Sequence, residues 1–184
     1  MLTQDASGQD NRRSAWFCTI LLVAGCVSAS LVFACATPFV AFAVLAAAVM
    51  PLRPALITIG FVWAVNQVIG FGVLDYPRTA NSAMWGLGLG VLALVTTVVA
   101  AAMFHRFSSM NRFALYPFAL IVCYAVYELA MLAMTPFLGG TESFTVQIVR
   151  DLAVVNAVWL AGLVAAYELL RRVNGLVPSG TFAR

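Results

Sequence analysis

Amide, carboxyl and aromatic side chains are scattered through the long apolar segments of this chain, and they are the residues best suited to hold a polar molecule. In the third and fifth segments they fall at the i, i+3, i+4 spacing that places them on one helical face. A charged side chain at the centre of a bilayer costs roughly 2.5–3.5 kcal/mol on insertion scales, so such groups should face protein or a cavity. The candidate substrate-binding residues within the segments are Trp63, Asn66, Gln67, Tyr124, Tyr127, Glu128, Asp151, Asn156 and Trp159.

Other kinds of chemistry have little support. The single histidine, His105, lies at the end of an apolar segment, and there is no GxSxG, HExxH, Walker or dinucleotide-binding motif. The four cysteines lie inside apolar segments without metal-ligand spacing, which predicts packing roles. With a net charge of only +3 and no basic run, nucleic acid is not an expected partner. We therefore predict a protein that is not an enzyme and that has neither a cofactor nor a metal site.

The elements that carry these side chains are membrane helices. Hydrophobic residues make up 63% of the 184 residues and charged residues only 9%, and most of the segments reach the roughly 20 residues that span a bilayer. The sequence therefore predicts an all-α integral membrane protein with six transmembrane helices, of which the second is short or bent. The predicted helices are Trp16–Ala36, Pro38–Met50, Ala55–Leu74, Ala83–Phe104, Phe113–Leu138 and Val146–Leu170.

The arginines give an orientation. All ten basic residues are Arg, and six helices place all but Arg78 and Arg150 on one side, whereas five helices would scatter them over both. The positive-inside rule makes that side cytoplasmic and places both termini there. We predict a cytoplasmic tail over residues 1–14, one membrane domain over 15–172 and a flexible cytoplasmic tail over 173–184. A cleaved signal peptide ending near Ala34-Cys35-Ala36 is the less favoured alternative, because the apolar run is long.

In this orientation the most polar groups fall at a similar depth. At about 1.5 Å per residue, Asn66 lies roughly 12 Å below the outer end of its helix, and Glu128 and Asn156 each lie about 15 Å below theirs. One shared layer of amide and carboxyl groups is what a solute pocket open to the outside requires. The depths therefore predict such a pocket in the outer half of the membrane.

A purely structural role is the alternative for most of these residues. Amide and aromatic side chains often act only as hydrogen-bonding glue between membrane helices, worth about 0.6–2 kcal/mol per contact. Glu128 is different, because a carboxyl near mid-membrane must be protonated or partnered, and Asn66, Gln67 and Asn156 are the predicted partners. For Asp151, an interfacial ion pair with the adjacent Arg150 is as good an explanation as ligand binding.

Small residues mark faces where helices can approach closely. Gly86 and Gly90 form a GxxxG face on the fourth helix, and the first helix carries two small-xxx-small faces. Packing within the chain is the favoured interpretation, and docking to a partner subunit is the alternative. The candidate partner-docking residues are Ala24, Gly25, Ser28 and Ala29.

One stretch resembles a known family. Val62-Trp63-Ala64-Val65-Asn66-Gln67-Val68-Ile69-Gly70-Phe71, continuing through Leu74-Asp75-Tyr76-Pro77 to Ser82-Ala83-Met84-Trp85-Gly86, is similar to the substrate-binding S components of energy-coupling factor (ECF) transporters, in the small proteobacterial branch that includes the cobalamin S component. The cobalamin S component uses a cysteine in the loop after the third helix as a cobalt ligand, and the loop Asp75–Ser82 here has none.

The resemblance implies a subunit of the bacterial inner membrane that captures a vitamin or related micronutrient, such as cobalamin or a precursor, on the outer side. It also implies that the outer loops and helices four to six form the site, which adds Tyr76 and Trp85 to the candidates. A transmembrane coupling protein and cytoplasmic ATPases would supply the energy, and the first helix would dock to that coupling protein. Two other interpretations stay open: a small ion- or proton-coupled permease that acts as a homo-oligomer, with Glu128 as the coupling carboxylate, and a non-transport scaffold or assembly protein.

Overall fold

Six α-helices account for almost all of the regular structure in the computed structural model, which describes residues 2–33 and 37–173. Within these ranges every regular element is helical, which confirms the predicted all-α class. A single 3-10 turn, Thr141–Ser143, lies between the last two helices. The α-helices are α1 (Leu2–Phe33), α2 (Phe39–Val49), α3 (Leu52–Gly72), α4 (Ala80–Arg106), α5 (Arg112–Leu138) and α6 (Val146–Val173).

All of these helices except α2 are long and apolar enough to cross a membrane, so the chain is a multi-pass membrane protein. The spans differ from prediction mainly at the start of the chain. Helix α1 begins at Leu2, so most of the segment predicted as a tail, 1–14, continues the first membrane helix. Two predicted features lie outside the described residues. They are the alternative cleavage site near Ala34–Ala36 and the tail 173–184, of which the structure describes only the first residue.

Helix α2 forms the centre of the bundle. Its residues from Phe39 to Ala47 are all buried, most of them completely, and it packs against every other helix. An apolar sequence without a polar face fits this position, because a helix that is hydrophobic all round must be covered by protein or lipid on every side. Its 11 residues rise only about 16 Å, roughly half the hydrocarbon core.

Contacts with α3 show that the chain nevertheless reverses direction through α2. Just before α2, the Thr37 hydroxyl accepts a hydrogen bond of 2.8 Å from Asn66, and just after it the Sδ atom of Met50 lies 3.7 Å from the hydroxyl of Thr58. Helix α1 runs parallel to α3, because Thr19 bonds to Thr58 and Ser30 to Asn66. The chain therefore makes six passages through the bundle, one of them short, as the sequence predicted.

Prolines set two of the helix starts. Pro38 and Pro51 are the N-cap residues of α2 and α3, where a missing backbone N–H costs little. Helix α3 begins at Leu52, so Arg53 and Pro54 belong to its first turn, whereas the predicted helix begins at Ala55.

The helix directions separate the basic residues in space. Two of the described arginines, Arg78 and Arg150, lie at one end of the bundle. The other end carries Arg53, Arg106, Arg112, Arg171 and Arg172. We call the end with the segments 73–79 and 139–145 the outer end, following the predicted orientation.

This orientation has a direct test. On a cysteine-free background, an impermeant thiol reagent applied to intact cells is expected to modify Ala80→Cys and to spare Ser108→Cys, since 80 begins α4 at the outer end and 108 lies in the opposite turn. Permeabilised cells, in which both positions should react, provide the control. Modification of position 108 alone in intact cells would invert the topology.

Candidate functional site

The Asn66 side chain lies at the start of α2, where it ties three segments together. Its Nδ2 group donates to Ser30 Oγ at 3.0 Å and to Thr37 Oγ1 at 2.8 Å, while its Oδ1 atom accepts from Gln67 Nε2 at 3.1 Å. Asn66 is buried, with 7% of its surface exposed. The amide is therefore engaged on both sides by α1, the entry to α2 and α3, which is the arrangement expected of structural glue.

Asn156, on α6, caps the N-terminus of the short central helix α2. Its Oδ1 atom accepts a hydrogen bond of 3.1 Å from the backbone N–H of Ala41, in the first turn of α2, and its Nδ2 group donates to Leu152 O at 3.0 Å. The first N–H groups of a helix have no partner within the helix. Pro38, at the N-cap, supplies no side-chain acceptor, so α6 provides one across the interface.

Trp63 and Gln67 fill the contact between α3 and α4. The indole Nε1 of Trp63 donates to the carbonyl of Gly86 at 2.8 Å, and its ring covers Gly90 so closely that a Cβ atom there would lie 2.6 Å from Cε2. A Cβ on Gly86 would lie 2.3 Å from the Oε1 atom of Gln67. The GxxxG face of α4 is thus used within the chain, which is the favoured interpretation of the motif.

Tyr76 and Trp85 lie at the outer end. The ring of Tyr76 packs edge-on against Phe71 and covers Gly70, and its backbone N–H donates to Gly70 O at 3.0 Å. Trp85 is partly buried and approaches Gly140, beside the 3-10 turn. The two residues therefore belong to the end of the bundle that is predicted to be outside.

Glu128 lies on α5, one turn beyond Tyr124 toward the outer end. The two side chains are in electrostatic contact, and the Tyr124 hydroxyl donates to the backbone carbonyl of Val149 at 2.5 Å. Val149 lies only about 5 Å from the start of α6, whereas Asn156 lies about 10 Å deeper along the same helix. The contacts of α5 with α4 place Glu128 deeper, since Cys123 Sγ donates to Thr96 O at 3.9 Å and Met134 lies over Gly88. The layer predicted for Asn66, Glu128 and Asn156 therefore stays a prediction.

The predicted partners of Glu128 change accordingly. Asn66, Gln67 and Asn156 are bonded elsewhere, and Glu128 has no ion pair among the described residues. Phe137, in the last turn of α5, is 87% exposed. Glu128 is itself only partly buried. It is thus the polar group of the set that is partly exposed and has no ion pair among the described residues.

The remaining candidates on α5 and α6 have separate surroundings. Asp151 pairs with Arg150 at 2.9 Å, and both side chains are exposed, so the interfacial ion pair considered above is what the structure shows. Tyr127 is buried next to Glu128 in the core. Trp159 packs edge-on against Phe42 of α2 and covers Gly25, so it fills the junction of α1, α2 and α6.

The predicted docking residues of α1 divide into two faces. Gly25 and Ala29 are buried, and a Cβ atom on Gly25 would lie 3.3 Å from Trp159. This face packs inside the chain, so it is not available to a partner as predicted. Ala24 and Ser28 are exposed beside a groove of about 320 Å³ between α1 and α6, opposite Gly162 and Ala166. These two remain the docking candidates.

A second groove, of about 340 Å³, opens between α4 and α5 and is almost entirely apolar. It is lined by Met84, Leu87, Gly88, Val91, Leu92, Met134, Phe137 and Leu138. None of the predicted substrate-binding residues lines it. Within residues 2–33 and 37–173, no three His, Cys, Asp or Glu side chains converge as metal ligands.

Comparison with known proteins gives no relative: no family model, no curated protein and no solved structure matches the chain.

Proposed function

We propose that this chain is a membrane-embedded binding subunit for the uptake of a vitamin or related micronutrient, energised by a separate coupling protein and ATPases. The observation that carries the proposal is the neighbouring Glu128 and Tyr124, which are partly exposed beside the first turns of α6, whereas the amides of Asn66 and Asn156 are bonded within the bundle. A polar solute arriving from outside would meet this pair without the bundle having to give up a buried hydrogen bond. The bacterial inner membrane is the proposed location.

Tyr76 and Trp85 extend the proposed site along the outer face. Aromatic rings offer large apolar contact area with a polar handle, which suits the ring systems of vitamins. Asn66, Gln67, Trp63 and Asn156 are better assigned to supporting the bundle, because each bonds to backbone or side chains of a neighbouring segment. Ala24 and Ser28, exposed on α1, are the proposed contact for the coupling protein.

A co-purified ligand provides the first test. Native mass spectrometry of the detergent-solubilised protein from cells grown in rich medium is expected to show a bound compound of vitamin size. Glu128→Gln is expected to weaken its binding about 10- to 100-fold, the loss of one hydrogen bond to a charged group. Glu168→Gln is the matched control, since Glu168 pairs with Arg171 at the opposite end of α6. Equal losses in both variants would refute a specific role for Glu128.

The permease is the second candidate, and the same carboxyl favours it. Glu128 lies in a membrane helix without an ion-pair partner among the described residues, as a proton-coupling carboxyl would. In proteoliposomes that contain this chain alone, uptake driven by an imposed proton gradient and abolished by Glu128→Gln would establish the permease and exclude the binding subunit. Retention of bound ligand without uptake would support the binding subunit.

A further inference from the structure

The groove between α4 and α5 is closed at both ends by contacts between the two helices. At the outer end, Asn81 Nδ2 donates to Leu138 O at 3.1 Å, which joins the start of α4 to the end of α5. At the inner end the helices pack directly, since Cys123 Sγ donates to Thr96 O at 3.9 Å and both residues are buried. The groove of about 340 Å³ lies between these contacts.

The side of the groove is open toward the lipid. Every residue that lines it is apolar or glycine. Leu92 and Met134 are half-buried inside it. Its rim is formed by four residues that each expose more than half of their surface: Met84, Leu87, Val91 and Phe137. Because α4 and α5 are both membrane spans, the groove opens sideways into the hydrocarbon region and not into water.

The groove is about as long as one leaflet is deep. On α4 its lining runs from Met84 to Leu92, which covers about 12 Å of the helix and begins about 6 Å below Ala80 at the outer end. Half of a hydrocarbon core of ~30 Å is about 15 Å. A transmembrane helix crosses both leaflets, so it could not follow a groove that ends in the middle of α4. A linear apolar chain from the outer leaflet matches the groove in both length and polarity.

The groove between α1 and α6 has a different form. On α1 its lining runs from Leu21 to Ser28, in the centre of the span Ser14–Val32. Small residues form much of both walls: Ala24, Gly25 and Ser28 on α1, and Gly162 and Ala166 on α6. Small residues at mid-membrane suit the close approach of another helix. The two grooves are therefore suited to different occupants, and only the one between α4 and α5 fits a single chain.

We infer that the groove between α4 and α5 binds one acyl chain of an outer-leaflet phospholipid. The chain enters from the side between Leu87 and Phe137 and contacts Leu92 and Met134. Because lipid chains are as apolar as the groove, dispersion contacts with its walls hold the chain in place. The inference goes beyond the proposed function and does not depend on it, since none of the candidate substrate-binding residues lines this groove.

Photolabelling of the full-length protein in nanodiscs tests the inference. The nanodiscs contain phosphatidylcholine doped with a phosphatidylcholine that carries a diazirine at the middle of one acyl chain, and mass spectrometry after proteolysis locates the adducts. Lipid that merely surrounds the protein labels residues of one type in proportion to their exposure. Leu129, on α5, is 66% exposed, whereas Leu92 is half-buried. A chain bound in the groove is therefore expected to label Leu92 more strongly than Leu129.

A filled groove should lose this preference. Val91→Trp places an indole at the rim and is expected to lower the labelling of Leu92 relative to Leu129 about tenfold, the equivalent of roughly ten lost carbon–carbon contacts. Val98→Trp is the matched control, because Val98 lies two turns deeper on the same face of α4, beyond the closed inner end, and is 45% exposed against 52% for Val91. It should label like the wild type. Met84→Trp fills the other end of the rim and replaces Val91→Trp if that variant does not fold.

Two results would overturn the inference. One is labelling of Leu92 that only follows its exposure in the wild type, or that survives the filling variants. The other is a dimer in nanodiscs that Val91→Trp abolishes and Val98→Trp retains, because a second copy of the chain would then occupy the groove.

Discussion

Replacing Gly90 with alanine is expected to destabilise the protein by about 1–3 kcal/mol, the usual cost of overpacking a well-packed interface. The added Cβ atom would lie 2.6 Å from Cε2 and 2.7 Å from Nε1 of Trp63, inside the contact distance of real atoms. The indole cannot move aside without cost, because its N–H is bonded to the Gly86 carbonyl at 2.8 Å. Helices α3 and α4 must therefore separate, or the indole must give up its bond.

The same substitution elsewhere supplies a matched control. A Cβ atom on Gly60, in the middle of α3, would have nothing within 4 Å, so Gly60→Ala should be neutral or should stabilise by up to about 1 kcal/mol through helix propensity. Thermal unfolding in detergent, followed by tryptophan fluorescence, measures both variants. Trp63→Leu combined with Gly90→Ala should lose less stability than the sum of the two single variants, since the clash is gone. Similar unfolding midpoints for Gly90→Ala and Gly60→Ala would contradict the close packing of α3 on α4.

The helices could be predicted from the sequence because their signal is strong and local. Hydrophobic runs of roughly 20 residues bounded by Pro, Gly and Arg identify membrane helices without knowledge of their neighbours. The short second helix was also predictable, since Pro38 and Pro51 delimit an apolar run too short to span a bilayer. Its central position could not be predicted, because a run without a polar face can lie against lipid as well as against protein.

Depth within the membrane is harder to predict than the helices themselves. Counting residues from each helix end assumes that the helices run parallel and that their ends lie at one level. Tyr124 contacts Val149 near the start of α6, whereas the adjacent Cys123 contacts Thr96, about 24 Å along α4 from its outer end. A sequence without its contacts cannot reveal such a difference between neighbouring helices.

The roles of small and amide residues were also beyond the sequence. Gly25 and Ala24 are adjacent in the chain, yet one packs against Trp159 and the other is exposed, and only the rotation of α1 in the bundle decides which. The partner of Asn156 is a backbone N–H in α2, a group that every residue except proline has and that no motif marks. A signal did exist in hindsight: a buried helix that starts after Pro38 has no cap of its own, so another helix must supply one.

That cap makes Asn156→Leu the second substitution with a large expected effect. Leucine removes the acceptor for Ala41 N–H, and Ala41 is completely buried, so no water can replace it. Leaving a buried donor unsatisfied costs about 1–3 kcal/mol. The unfolding midpoint in detergent should fall accordingly, while the folded fraction should keep its full affinity for any ligand, because Asn156 is engaged by α2 and by its own helix.

Asn156→Asp and Val158→Leu separate the cap from other effects of substitution. Asp keeps an oxygen that can accept from Ala41 N–H at the positive end of α2, so it should retain much of the stability that leucine loses. Val158 is 65% exposed on the same helix, and a larger apolar side chain there should change nothing. If Asn156→Leu instead left the unfolding midpoint unchanged and abolished ligand binding, Asn156 would belong to a pocket, as its position in the sequence first suggested, and the central helix would have to be stabilised by other contacts.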